Sequence, residues 1–176
     1  MTVIKDRSNR YFLSFVVEIE PETVEHINQS VGIDLGLKTF AVFSNGEKFD
    51  SPDYAKHDRK ISKLQRKLAR QEKRANRRNK TRVKIAKLHN KIADTRKDFL
   101  HKLSTKVVNE NQVITLEKLK VSGMVKNKSL ARAISLQGWR EFRLLCEAKS
   151  EKFGRTFKTV KRPTYQGLPI MLKAAQ

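Results

Sequence analysis

Apolar and polar positions change their spacing several times along this chain, and each change marks a different kind of element. Near the start, Val3 and Ile4 precede a polar DRSNR segment, after which YFLSFVVEIE is dense in aromatic and β-branched residues up to Pro21. That pattern predicts strand, turn, strand. A polar linker, ETVEHINQS, leads to VGIDLG, KTFAVFSN and GEKFDSP, three short runs punctuated by Gly36 and by the hairpin pair Asn45-Gly46. These predict an antiparallel meander. The spacing then lengthens to three and four residues, at Ile61, Leu64 and Leu68 and again at Ile85, Leu88, Ile92, Phe99 and Leu103. Each set is one apolar stripe on a helix. Between them lies EKRANRRNKTR, where Asn76 and Asn79 predict a reversal. Residues 56–106 are thus expected to form an antiparallel helical hairpin with its stripes facing each other. QVITLE returns to strand, apolar on most positions until Glu117. A helix is expected from about Ser129 or Leu136 to Lys152, with Trp139, Phe142, Leu145 and Ala148 on one face. Gly154 ends it, RTFKTV forms a last strand, and the tail RPTYQGLPIMLKAAQ has no usable period.

Charge changes the picture most in the middle of the chain. The 39 basic and 18 acidic residues leave a net charge of +21 over 176 residues. Residues 56–106 hold 20 Lys/Arg against 4 Asp/Glu, so 20 − 4 = 16 of those 21 charges sit in the hairpin, which has no glycine or proline. Like charges at this density repel one another unless a polyanion neutralises them. Lys63, Arg66, Lys67, Arg70, Arg74, Arg77, Arg78, Lys80, Arg82, Lys84 and Lys87 are the candidate phosphate contacts, and a solvated helix pair is the alternative. The length suits one domain with a real core. No run is apolar enough to span a membrane and no signal pattern opens the chain, so a cytoplasmic protein is expected. Cys146, the single cysteine, excludes an internal disulfide and any cysteine-pair zinc site. His26, His57, His89 and His101 are scattered and read as surface or packing residues.

Two acids stand out, Asp34 in VGIDLG and Glu117 in VITLEKL, because each lies on or just past an apolar strand. A buried carboxylate needs a cation or donors to compensate it. Two from separate strands, brought together at neighbouring strand ends, would hold Mg²⁺ or Mn²⁺ and could support phosphodiester hydrolysis. The flanking Gly32 and Gly36 would leave room for a nucleic-acid backbone. A helix cap or a lysine partner is the alternative role for either acid. Trp139 and Phe142 read as core, and Cys146 as a small buried hydrophobe. Lys118 and Lys120 either contact phosphate or lie in a solvated loop, and Arg155 faces either solvent or phosphate.

The segments GIDLGLKTFAVFSNGEKFDSP, KLQRKLAR with KIAKLHNKIADTRKDFLHKLS, VITLEKLKVSGMVKNKSLARAIS and GWREFRLLCEAKSEKFGRTF resemble, in this order, the central part of the TnpB/OrfB transposase-like family of insertion sequences, relatives of the type V CRISPR nucleases. The resemblance covers about residues 1–160. It implies an α/β fold, a partial RNase H-like (RuvC) domain over 30–162 with a mixed sheet and the basic hairpin inserted at about 56–106. It places the first two acidic motifs on Asp34 and Glu117, and implies guide RNA and DNA as partners, the hairpin touching the guide and its heteroduplex. Residues 1–21 resemble the last strands of the family's wedge region, and 163–176 look unlike the family's continuation, as after a shifted reading frame. The family's four-cysteine zinc ribbon and third acidic motif have no counterpart here. The resemblance therefore implies no zinc, an incomplete Mg²⁺ or Mn²⁺ site, and a fragment that keeps nucleic-acid binding but lacks cleavage. A non-catalytic binding module, an unstable transposon remnant, and an enzyme completed by a carboxylate from another chain are the alternatives.

Overall fold

The computed structural model describes residues 1–18 and 25–161. The end of the YFLSFVVEIE run, Pro21, the start of the linker and the tail 163–176 lie outside the described residues. The described residues form two sheets. Strands β1 (Thr2–Lys5) and β2 (Tyr11–Ser14) pair antiparallel as a two-stranded ribbon. The second strand stops at Ser14 rather than running to Pro21, and both strands are exposed throughout. The ribbon's turn is tied to the long helix described below: Asn90 donates to Asp6 and Ser8, and Arg10 pairs with Asp94.

The main sheet has the order β5-β4-β3-β6-β7, with β3 (Ser30–Leu35), β4 (Ala41–Phe43), β5 (Lys48–Phe49), β6 (Val113–Lys118) and β7 (Thr156–Lys161). The expected meander is present, since β3, β4 and β5 pair antiparallel, whereas β3-β6 and β6-β7 are parallel. The fold is therefore α/β with a mixed sheet. Alternation decides which residues are buried. Val31, Ile33 and Leu35 of β3 and Ile114 and Leu116 of β6 point into the core, while Gly32, Asp34, Thr115 and Glu117 fall on the other face.

Helices α1 (Ala55–Ala69) and α2 (Asn76–Glu110) form the hairpin, with very unequal lengths of 15 and 35 residues. The stripes do meet: Ile61 packs with Ile92 and Tyr54, joined by Leu88 and Leu136. The chain reverses at 70–75, and Asn76 and Asn79 belong to α2 itself. The reason is a long-range cap. The Arg78 guanidinium donates to the carbonyls of Leu68 (2.6 Å) and Gln71 (2.9 Å), satisfying the end of α1 and folding the turn back earlier than asparagine would suggest.

Among the described residues, three helices follow β6 where one was expected: α3 (Val121–Met124), α4 (Ala131–Gln137) and α5 (Trp139–Lys152). The break is at Gly138, whose φ of +72° suits glycine and where a Cβ would lie 3.0 Å from Leu100 Cδ1. On α5 the buried residues are Trp139, Phe142, Cys146 and Ser150, and Ala148 is exposed. This face and Leu100, Leu103, Val107 and Val108 of α2 cover the inner face of the sheet. Phe40 sits at the centre, edge-to-face with both Phe99 and Phe142. Burial pushes the Cys146 thiol up to about 12, so it is inert near neutral pH. Arg155 faces neither solvent nor an external phosphate. It is buried and donates to the carbonyls of Val108 and Glu25 and to Gln112.

Candidate functional site

The two acids come from the carboxyl ends of neighbouring parallel strands. Register pairs Gly32 with Thr115 and Ile33 with Leu116, so Asp34 and Glu117 are the next residues on each strand. Alternation sends both to the same face, opposite the core. Parallel strands lie about 4.8 Å apart, which puts the two side chains within reach of one ligand. Asp34 is exposed and Glu117 half-buried, so the cost of a fully buried carboxylate does not arise for Asp34. The apolar run around it is explained by its inward-facing alternate residues.

The immediate neighbours in that register row are apolar: Val42 of β4 pairs with Asp34, and Val160 of β7 pairs with Glu117, while Lys48 of β5 lies beyond Val42. One row nearer the strands' amino ends, Gly32 leaves space on the open face, its absent Cβ meeting nothing closer than Ser44 Cβ at 3.7 Å. Gly36 has a different role from the expected one. A Cβ there would lie 2.8 Å from the Thr39 carbonyl, so the turn itself requires glycine. Among the described residues no group of three or more His, Cys, Asp or Glu could hold a metal. A pair of carboxylates nevertheless fits Mg²⁺ or Mn²⁺, which bind through one or two carboxylates with water and substrate phosphate oxygens completing the shell.

The cations lie along the hairpin. A helix of 35 residues is about 52 Å long, and only its last third packs on the sheet. It ends at Glu110, beside the amino end of β6. Phe99 touches Phe40 just beyond the carboxyl end of β3. The part of α2 before Phe99 therefore projects past the sheet edge that carries Asp34 and Glu117, with α1 packed along it. Lys63, Arg66, Lys67, Arg70, Arg74, Arg77, Lys80, Arg82, Lys84 and Lys87 are all exposed on this arm. Lys63, Arg66, Lys67 and Arg70 line a shallow concavity of about 340 Å³ with Gln71. Arg78 departs from the set: it is half-buried and spent on the α1 carbonyls. Replacing Arg78 with Ala is expected to destabilise the chain by about 1–2 kcal/mol through those lost bonds, whereas Lys80→Ala should stay within about 0.5 kcal/mol. Urea unfolding of the two variants checks this, and equal midpoints would refute the capping role.

Lys118 and Lys120 are exposed just after Glu117. Local sequence signals missed Arg78 as a cap, because its partners lie seven and ten residues away across a turn. No helix among the described residues is long and apolar enough to cross a membrane.

Known proteins resemble the chain over most of its length. Residues 14–128 match the OrfB_IS605 family model, described as "Probable transposase". The chain is 40% identical over 163 residues to a Streptomyces pristinaespiralis protein that bears the name of an RNA-guided DNA endonuclease, covering 92% of this chain and 40% of that protein. It is 34% identical over 157 residues to InsQ of Escherichia coli K12, named in the same way, covering 80% of this chain and 39% of the relative. The chain thus spans about two fifths of the length of these relatives.

Proposed function

We propose, from the premise that the chain belongs to the OrfB_IS605 (TnpB/OrfB) family of transposase-like proteins, that it is the nucleic-acid-gripping part of an RNA-guided DNA endonuclease with an RNase H-like (RuvC) site at Asp34 and Glu117. One observation carries this reading. Asp34 and Glu117 occupy adjacent register positions on one open sheet face, at the edge from which the cationic arm projects. The arm binds guide RNA and the DNA paired with it through phosphates, which makes affinity salt dependent. The open face admits a strand to the carboxylates, Gly32 leaving room beside them.

Asp34 and Glu117 would hold Mg²⁺ or Mn²⁺ by carboxylate oxygens, and such an ion supplies activation of water and charge stabilisation at the cleaved phosphate. The chain's own residues bind and orient. The arm's cations fix the duplex, the two carboxylates face the strand, and the apolar neighbours Val42 and Val160 flank the pair on either side.

The same observation that defines the pair supports a second reading. With two carboxylates and no third among the described residues, the chain serves as a binding module that grips nucleic acid without cutting. Both readings require the arm. Arg66→Glu with Arg70→Glu is expected to weaken binding of a fluorescein-labelled 20-nucleotide RNA at least about tenfold at 0.1 M salt. The slope of log K against log salt should fall by about 0.7 per lost phosphate contact. Anisotropy titrations measure both. An unchanged affinity and slope would remove the arm from the interface.

A further inference from the structure

Alternation decides which face Asp34 and Glu117 share, but not how far β3 and β6 are slid along each other. Val31, Ile33 and Leu35 recur at every second residue, as do Ile114 and Leu116. A slip of two residues would therefore bury the same kinds of side chain and still send both acids outward. Asp34 would then face Thr115 or Leu119. The two acids would be offset by about 6.6 Å along the strands, and with about 4.8 Å between strands they would lie about 8 Å apart at their Cα atoms. Something other than the apolar pattern has to choose the register.

Hydrogen bonds at the amino ends of the strands are specific to one register. Gln112, just before β6, uses every polar atom it has. Its backbone N–H donates to the Gln29 carbonyl just before β3 (2.8 Å), and its own carbonyl accepts from Thr156 at the start of β7 (2.8 Å). Its side-chain Nε2 donates to the Gly154 carbonyl (3.0 Å). Its Oε1 accepts from the Ile27 N–H (3.4 Å) and from Arg155 Nη1 (2.6 Å). Arg155 reaches on to the carbonyls of Glu25 (2.8 Å) and Val108 (3.3 Å), so one guanidinium joins the entry to β3, the end of α2 and the starts of β6 and β7. It is 7% exposed, and its acceptors are two carbonyls and an amide rather than a carboxylate. A buried ion is weak support for stability, and setting a register is the best-attested reason to keep one. We infer that Gln112 and Arg155 are positioning residues, a clamp that sets β3 against β6. Asp34 and Glu117 each lie four residues beyond the paired Ser30 and Val113, so a register chosen there brings them side by side about 13 Å away. The clamp deepens the metal-site reading above, which gives the aligned pair its use.

Cysteine pairs read the register directly. Asp34→Cys with Glu117→Cys puts two thiols on neighbouring strands at a Cα separation that a disulfide bridges, whereas Asp34→Cys with Thr115→Cys leaves them about 8 Å apart, beyond that range. With oxidised glutathione the first pair is expected to close at least about tenfold faster than the second. Cys146 is buried and stays out of the exchange. Adding Arg155→Met or Gln112→Met, which keep bulk and remove the side-chain hydrogen bonds, should cut that preference at least about threefold while the far-UV melt stays cooperative. The midpoint of Arg155→Met should hold or rise, because an apolar chain replaces a buried ion. Arg155→Lys, which keeps a charged donor, should recover most of the preference. A merely structural arginine would move the midpoint and leave the preference alone. An unchanged preference in a cooperatively melting Arg155→Met chain overturns the clamp, and if that chain does not melt cooperatively, Gln112→Met decides by the same comparison. Loss of cooperative melting in both also overturns it, since the bonds would then hold the fold rather than the register. Neither metal nor nucleic acid enters the measurement, so a wild-type chain that fails to bind Mn²⁺ would count against the function proposed above and not against the clamp.

Discussion

Asp34→Asn and Glu117→Gln are each expected to lower Mn²⁺ affinity at least about tenfold, and together to abolish specific Mn²⁺ binding, because hard divalent cations are held by carboxylate charge and amides supply none. Any Mn²⁺-dependent nicking by the wild-type chain should fall by about 10²–10³ in either variant, the size of effect seen when one transition-state-stabilising group is lost. Both side chains sit on the open face, with Asp34 exposed and Glu117 half-buried, so neither substitution should empty the core. Affinity for RNA should hold or rise, since a negative charge has been taken from the path of a polyanion. Calorimetric or paramagnetic titration with Mn²⁺ reads the first effect without relying on activity, and nicking of supercoiled plasmid reads the second. Wild-type binding of Mn²⁺ that survives the double substitution would separate these carboxylates from any metal. Tight metal binding without nicking would favour the binding-module reading.

The carboxylate pair was legible in the sequence because β3 and β6 alternate cleanly. In SVGIDL and VITLEK the large aliphatics occupy every second place, and a period of two fixes which side Asp34 and Glu117 share. What could not be read was their exposure. VGIDLG looks like a buried run only until its alternate positions are assigned to two faces. The hairpin was legible through its stripes, but its turn was misplaced, since the decisive interaction is Arg78 reaching back to Leu68 and Gln71 rather than local turn chemistry. The break at Gly138 escaped notice for a similar reason: helical spacing continues through it, and only the close approach of Leu100 and Arg96 shows why the backbone must change course there. Arg155 is the extreme case. Its three acceptors come from residues 25, 108 and 112, and no window around position 155 contains them.

Phe142→Ala is expected to cost about 3–5 kcal/mol, the range for removing a fully buried aromatic ring, out of a total near 5–15 kcal/mol for a domain. Phe142 is 0% exposed and meets Phe40 edge-to-face, with ring centroids 5.4 Å apart. Phe40 in turn meets Phe99 of α2 at 5.1 Å, so one aromatic chain joins α5, the β3-β4 turn and the root of the arm. If these three elements form one cooperative unit, the variant should melt in a single transition shifted by several degrees or more, and the arm should lose order with the sheet rather than after it. Cys146 supplies an independent probe on the same helix. With its thiol buried and held at about 12, it should resist a thiol reagent at pH 8 in the wild type and react in Phe142→Ala at the rate set by opening. A Leu144→Ala control, on the exposed side of α5, should leave that protection in place. Separate transitions for far-UV signal and thiol reactivity, or protection unchanged in Phe142→Ala, would show that the arm and the sheet fold independently. The carboxylate edge would then be positioned without the helix that carries the cations.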